Sequence, residues 1–305
     1  REATAAIEQC SADVTLGQFL RRQGYSNGFA EHYLLPMGAA IWSCPMSTFE
    51  QFPLRFVVDF YRNHGLLQIR DRPTWRVIEG GSRTYVDRLT APFLNCIRLN
   101  SPVLEIERTS EMVRVKTPER AEVFDEVILA CHSDQALRML SRATPVEKSV
   151  LSEFAYGRNL AVLHTDRAAL PRRRSTWSSW NYRIPAGAEV RPTVTYNMNI
   201  LQHLTTEETY CVTLNDSGTI DPRRVLGVYE YSHPVFTVRR AAAQARHAEL
   251  IRAHRTSFCG AYWGNGFHED GVNSALAVCR AFGVTAEWAV DGASVKLLEE
   301  PHHVG

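Results

Sequence analysis

Alternation of apolar and polar side chains is clearest between residues 101 and 131. Val103-Leu104-Glu105-Ile106-Glu107 leads through a polar turn at 108–111 into Val113-Arg114-Val115-Lys116, whose period of two is that of a half-solvated strand. After a turn at 117–120, Val127-Ile128-Leu129-Ala130-Cys131 is an unbroken apolar run, the pattern of a strand covered on both faces in a parallel sheet. Ser133 or Asp134 then caps a helix that carries Ala136, Leu137 and Leu140 on one side. Farther along, 257–262 reads as a short strand, 263–269 as a glycine-rich loop and 271–282 as a helix. Val272, Ala275, Leu276, Cys279 and Phe282 form its buried stripe, and Asp270 serves as its cap.

Between these units, 171–187 combines Arg172-Arg173-Arg174 with Trp177, Trp180 and Tyr182, and strand-like runs follow at 193–198 and 210–214. This predicts a second, mostly antiparallel layer. The first 75 residues are helix-rich, with breaks expected at Pro36-Met37-Gly38, Cys44-Pro45 and Asn63-His64-Gly65. The tail 284–305 shows no periodicity. Residues 1–10 read as an amphipathic helix already under way without an initiator Met, which suggests that the N-terminal part of a longer protein is missing.

Composition narrows the function classes. A chain of 305 residues with 45% hydrophobic and 22% charged side chains can bury a real core, which excludes disorder and disulfide miniproteins. Thirty-four basic residues against 33 acidic ones leave a formal charge of +1, too little to make nucleic acid the default partner. The seven cysteines form no CxxC pair, which points to reduced thiols and a cytoplasmic location. No stretch reaches the roughly 18 apolar residues a bilayer span needs, so only peripheral membrane contact stays open. Oligomeric state is not indicated.

The most informative chemistry lies in 260–275, Gly-Ala-Tyr-Trp-Gly-Asn-Gly-Phe-His-Glu-Asp-Gly-Val-Asn-Ser-Ala. Its glycines permit close backbone approach to a ligand, and the following helix start offers N–H groups suited to an anion or carbonyl. From spacing alone, a plain strand-to-helix loop weighs equally. His268-Glu269-Asp270 diverge along an extended loop with no HExxH-like complement, so no metal is expected. The arginine run reads as a solvated loop, and Trp177, Trp180, Tyr182 and Tyr262 divide between core and substrate pocket. Cys44, Cys131 and Cys259 have no nucleophile partner, and neither a GxSxG elbow nor a GxGxxG fingerprint occurs.

Residues 260–275, together with Trp75-Arg76-Val77-Ile78-Glu79-Gly80-Gly81-Ser82-Arg83-Thr84-Tyr85-Val86, resemble the flavin-containing amine oxidase and phytoene desaturase superfamily, within it the bacterial "predicted NAD/FAD-binding protein" branch. Leu35-Pro36-Met37-Gly38-Ala39-Ala40-Ile41-Trp42-Ser43, Ala130-Cys131-His132-Ser133-Asp134-Gln135-Ala136-Leu137, Ala161-Val162-Leu163-His164-Thr165-Asp166 and Trp177-Ser178-Ser179-Trp180-Asn181-Tyr182 carry the same resemblance, which extends over roughly 10–283.

The resemblance implies an α/β fold: a Rossmann-like, glutathione-reductase-type parallel sheet for FAD, lacking its first βαβ unit, beside a mixed antiparallel-sheet and helical substrate domain. It assigns 76–140 and 250–283 to the first domain and 1–75 and 141–249 to the second. It implies that Asp270, Gly271 and Val272 present helix N–H groups to the flavin N1 and C2 carbonyl, that Gly260 and Ala261 meet the ribityl and pyrophosphate portion, and that Val103, Ala130 and Cys131 lie toward the adenine end. Ala261 departs from the acidic residue frequent there. Trp177, Trp180, Tyr182 and Tyr262 would line the substrate pocket. The implied activity is hydride transfer from a substrate C–H to flavin N5, on an apolar lipid or polyene in preference to an amine, with no catalytic side chain assigned. A small-molecule or lipid substrate is then the expected partner, and without the GxGxxG half this chain is expected to hold FAD weakly. A catalytically inactive fragment or scaffold is the remaining alternative.

Overall fold

The computed structural model describes residues 14–68, 70, 74, 76–184, 193–216 and 218–286. The expected helix at 1–10 and the tail from 287 lie outside the described residues. Ten strands are found among them: β1 (Glu105–Arg108), β2 (Val113–Lys116), β3 (Ala121–Phe124), β4 (Val127–Leu129), β5 (Ala155–His164), β6 (Trp180–Arg183), β7 (Thr193–Asn197), β8 (Cys211–Leu214), β9 (Val225–Val235) and β10 (Thr256–Phe258). The chain divides into two compact units, Arg1–Asn100 with Glu153–Ala241, and Ser101–Ser152 with Ala242–Gly305.

In the first unit, helices Leu16–Arg22, Leu35–Ile41, Met46–Glu50 and Leu54–Asn63 enclose an aromatic core. Trp42 stacks on Phe49 at 5.2 Å and meets Phe60 at 4.6 Å, while Phe56 stacks on Phe236 at 4.1 Å. Such ring pairs add to the area they bury. The first helix opens with a capping box: the Gln18 amide donates to Thr15 Oγ1 and the Thr15 amide to Gln18 Oε1. Breaks do fall at Cys44-Pro45 and after Asn63. Pro36-Met37-Gly38 instead lies inside Leu35–Ile41, with Pro36 in the first turn, where a missing N–H costs little.

The antiparallel layer is a five-stranded sheet in the order β6-β7-β8-β5-β9. β5 and β9 pair from Ala155↔Val235 to Leu163↔Gly227 and then slip, so that His164 faces Val225. His164 is fully buried on β5. Its Nδ1 accepts the Asp166 amide at 3.1 Å, which places the ring proton on Nε2, 2.7 Å from Thr213 Oγ1. Thr213 continues to Thr195 at 2.9 Å. Burial lowers the His164 pKa from 6.5, against the opposing charges of Asp166 and Asp216. The imidazole is therefore held neutral.

The second unit begins with the meander β1-β2-β3, in which Lys116 bonds Glu105 at 2.7 Å and Glu107 at 2.8 Å. β3 has no counterpart in the sequence reading because its side chains are mostly exposed and lack a clean alternation. β4 pairs in parallel with β10, Val127↔Thr256 through Leu129↔Phe258. The expectation of a strand at Val127-Ile128-Leu129-Ala130-Cys131 covered on both faces is corrected: the strand ends at Leu129, and Ile128 is 47% exposed. The helix after it is Ser133–Met139, so the N-cap position is His132 and not Ser133 or Asp134.

Helix Pro145–Leu151 is anchored by a buried ion pair. Glu147 accepts Arg108 Nη2 at 3.0 Å and the Thr144 amide at 2.7 Å, while Arg108 also reaches the Arg142 carbonyl and Thr256 Oγ1. Burial alone would raise the Glu147 pKa, but Arg108 and the Thr144 amide hold it below 4.5. Charges this deeply buried are tolerated only when paired and fully hydrogen-bonded.

Glu147→Ala leaves the Arg108 guanidinium buried without its counter-charge and should lower the unfolding free energy by about 3–5 kcal/mol, read from urea titrations of the two proteins. Acid should weaken the native protein in two stages. The His164 contribution is complete above 6.5 and is lost as pH falls through its depressed native pKa. The Glu147 contribution persists to about 4.5 and is lost below that, through its own depressed native pKa. Urea midpoints measured from neutral pH downward should show the earlier stage disappear in His164→Gln.

Candidate flavin-facing turn

The second unit places a strand, a glycine turn and a helix in succession. β10 ends at Phe258, and the Cys259 amide still donates to the Leu129 carbonyl at 3.0 Å. Gly260 follows with φ 154° and ψ 163°, a conformation essentially reserved for glycine. A Cβ there would come within 2.7 Å of the Tyr262 ring and 3.6 Å of the Cys131 carbonyl oxygen. The chain then makes a short 3-10 turn, Ala261–Trp263, whose Ala261 carbonyl accepts the amides of Gly264 and Gly266, each at 3.1 Å.

The helix is His268–Ala281, one turn longer at its start than the expected 271–282. Asp270 is accordingly not the N-cap residue but lies within the first turn. Its carboxylate still performs a capping role, since Oδ2 accepts the amides of Asn265 at 3.0 Å and Phe267 at 2.9 Å. Gly264 has to be glycine for this to happen: a Cβ would meet Asp270 Oδ1 at 2.1 Å. The Gly271 amide donates to the Phe267 carbonyl at 3.1 Å and belongs to the helix ladder. The amides without an intrahelical acceptor are those of 268–270.

The expected stripe of Val272, Ala275, Leu276, Cys279 and Phe282 is also corrected. Ser274 and Val278 are the buried positions, whereas Val272 is 41% and Phe282 38% exposed. Ser274 decides the orientation, because its Oγ accepts the Gly260 amide at 2.8 Å and donates to the Gly271 carbonyl at 2.8 Å. One serine thereby fixes the helix against the strand end.

Three further residues hold this turn, and an apolar-period search passes over all of them. Gln244 Nε2 donates to the carbonyls of Tyr262 and Gly264 at 3.0 and 2.7 Å. His247 donates through Nε2 to the Phe258 carbonyl at 2.7 Å and stacks on Trp263 at 4.1 Å. Burial lowers the His247 pKa, with that carbonyl opposing. A polar residue inside an otherwise apolar neighbourhood, as Gln244 is, was the only available signal.

Of the residues singled out from sequence, Ala130, Cys131, Gly260, Ala261, Asp270, Gly271 and Val272 converge on this turn. Gly271 is within ordinary contact distance of the Ala261 amide nitrogen, 3.9 Å from its added Cβ. Val103 lies ahead of β1 and is half-buried. Tyr262 is buried in this unit. Trp180 and Tyr182 lie in the other unit on β6, with ring centroids 5.6 Å apart. Trp177 is held nearby in sequence by its indole N–H on the Pro171 carbonyl at 2.7 Å and by Arg174 over its ring. Among the described residues, no group of three or more His, Cys, Asp or Glu side chains could hold a metal ion.

A glycine turn at the carboxyl end of parallel strands, feeding a long helix, is the arrangement by which α/β proteins meet phosphate-bearing or electron-rich cofactors. The whole chain agrees with that class. The model of the flavin containing amine oxidoreductase family matches residues 11–282, and the protein belongs to that family. The mixed α/β architecture matches the flavin-dependent amine oxidase fold.

Solved structures with the same fold include a protein from Exiguobacterium sp. 255-15 provisionally assigned as a protoporphyrinogen oxidase, at 19% identity and TM-score 0.61, covering 90% of this chain and 67% of that one. A CLA-producing fatty acid isomerase from P. acnes aligns at 13% identity and TM-score 0.60, with coverages of 90% and 67%. Cyclohexylamine oxidase from Brevibacterium oxydans IH-35A aligns at 12% and 0.59, with coverages of 90% and 69%. No curated protein matches the sequence. Among the described residues, no helix is long and apolar enough to cross a membrane.

Asp270→Ala removes the acceptor of two loop amides and should cost about 1 kcal/mol, as for loss of a helix cap. Hydrogen exchange should accelerate at Asn265 and Phe267 while the amides after Ser274 keep their protection.

Proposed function

We propose that this flavin oxidoreductase uses FAD and transfers a hydride from a substrate C–H to the flavin, on a predominantly apolar lipid or polyene-like substrate. The observation that carries the reading is the Gly260 turn, locked to helix His268–Ala281 by Ser274 at the end of β4 and β10. The donor set fits a flavin: glycine backbone free of Cβ atoms at 260, and a 14-residue helix whose first-turn amides and positive dipole end face away from its own ladder. Bound there, FAD would supply the two-electron acceptor.

The chain's own residues supply position and field. Gly260 and Ala261 would let the backbone approach the ribityl and pyrophosphate portion, and Ala130 and Cys131 the neighbouring strand end. The amides of 268–270 would stabilise negative charge that collects on a reduced ring. Asp270 keeps its carboxylate turned onto Asn265 and Phe267, which spares that charge a like-charged neighbour. Nearly balanced overall charge and the half-buried aromatic pair Trp180 and Tyr182 favour an apolar substrate over a polyanion.

With FAD supplied in excess, the chain should quench flavin fluorescence, and Gly260→Val should weaken that binding at least tenfold, the β-branched side chain being unable to hold the observed torsions. Anaerobic bleaching of the visible flavin band by an unsaturated fatty acyl ester, but not by primary amines, is the expected substrate preference. Bleaching by amines alone would replace it with amine oxidation.

A further inference from the structure

Tyr61 stands out in the first unit because it breaks the rule that its neighbours obey. It is 3% exposed, on helix Leu54–Asn63, and among the described residues its hydroxyl has no hydrogen-bond partner. A buried hydroxyl normally finds one. The phenol of Tyr196, for comparison, is satisfied by the Trp180 indole.

The setting of that hydroxyl is uncharged. The titratable groups that act on Tyr61 are two other phenols, Tyr33 and Tyr182, and burial pushes its own ionisation far above the ordinary range. It is therefore a permanent O–H donor. Tyr33 lies on Ala30–Leu34, a π-helical turn, a rare geometry that recurs at functional positions. It is half exposed, Tyr182 is half-buried and Tyr61 is sealed, so the three phenols grade from surface to interior. Tyr182 shares one face of β6 with Trp180.

We propose that Tyr61, with Tyr33 and Tyr182, forms a binding site for the uncharged carbonyl oxygen of an acyl substrate, the Tyr61 hydroxyl donating to that oxygen. A neutral donor with no acidic or basic partner suits an ester or amide oxygen; an ammonium group would find no counter-charge there, and a carboxylate no cation. The inference rests on the apolar-substrate reading and sharpens it, since it names which atom of the substrate is recognised.

The test uses the full chain and three probes of equal chain length: methyl laurate, tridecane and dodecylammonium, with binding followed by intrinsic tryptophan fluorescence. Methyl laurate should bind about tenfold more tightly than tridecane, the difference one neutral hydrogen bond provides. Tyr61→Phe should erase that difference while leaving tridecane unchanged. Because the hydroxyl is unpaired in the free protein, the same variant should unfold at an equal or higher urea concentration. A lowered urea midpoint would show the hydroxyl already bonded within the protein and would overturn the site. So would a variant that keeps the preference for the ester, or a wild type that prefers dodecylammonium. Flavin bleaching is measured separately: bleaching by the unsaturated ester with no effect of Tyr61→Phe on ester binding defeats this inference alone. Loss of the ester preference in a chain that no ester reduces defeats only the redox reading.

Discussion

The backbone of Gly260 and its hydrogen bond to Ser274 govern the second unit's candidate site. A residue with a side chain could not adopt φ 154° there without meeting the Tyr262 ring. That torsion turns the chain out of β10, and the amide it exposes is claimed by Ser274. Once that bond is made, the helix has little rotational freedom, and its small residues Gly271, Ser274 and Ala275 come to face the strand end. Gln244, His247 and Asp270 then absorb the remaining carbonyls and amides of the loop. A turn so completely bonded to its own surroundings is preorganised, and a ligand meeting it need not order it.

Much of this was legible before any coordinates. β1, β2, β4, β7 and β8 follow from alternation or apolar runs, and the strand-loop-helix near 260 follows from its glycines. What escaped did so for physical reasons. β3 and β9 expose most of their side chains, so no hydrophobic face announces them, and β9 also contains Gly227 and Pro234, tolerated because it is an edge strand. The start of helix His268–Ala281 was misplaced because Asp270 caps from inside the first turn. Its buried stripe was misread because the residue that fixes it is a serine. The family, by contrast, was legible from short motifs, and the family match over 11–282 agrees with them.

The buried polar groups of the protein show how selective that bonding is. His164 is fixed as a single tautomer by Asp166 and Thr213. Glu147 is matched to Arg108 and to the Thr144 amide. Ser43, Asn159 and Asn215 close a triangle of three bonds between 2.7 and 2.9 Å, with Ser43 and Asn215 both at positive φ. Strained torsions are kept there because the side-chain bonds over-determine them.

Against that background an unsatisfied hydroxyl carries information. Desolvating a phenol O–H without a partner costs on the order of 1–3 kcal/mol, and the residue type offers an immediate remedy, because phenylalanine would fill the same space. A chain that satisfies an imidazole, a carboxylate, a guanidinium and two amides in its interior has the means to satisfy one more group. Retaining tyrosine at 61 makes physical sense when the missing acceptor arrives from outside, and a charge-free environment restricts that acceptor to a neutral oxygen.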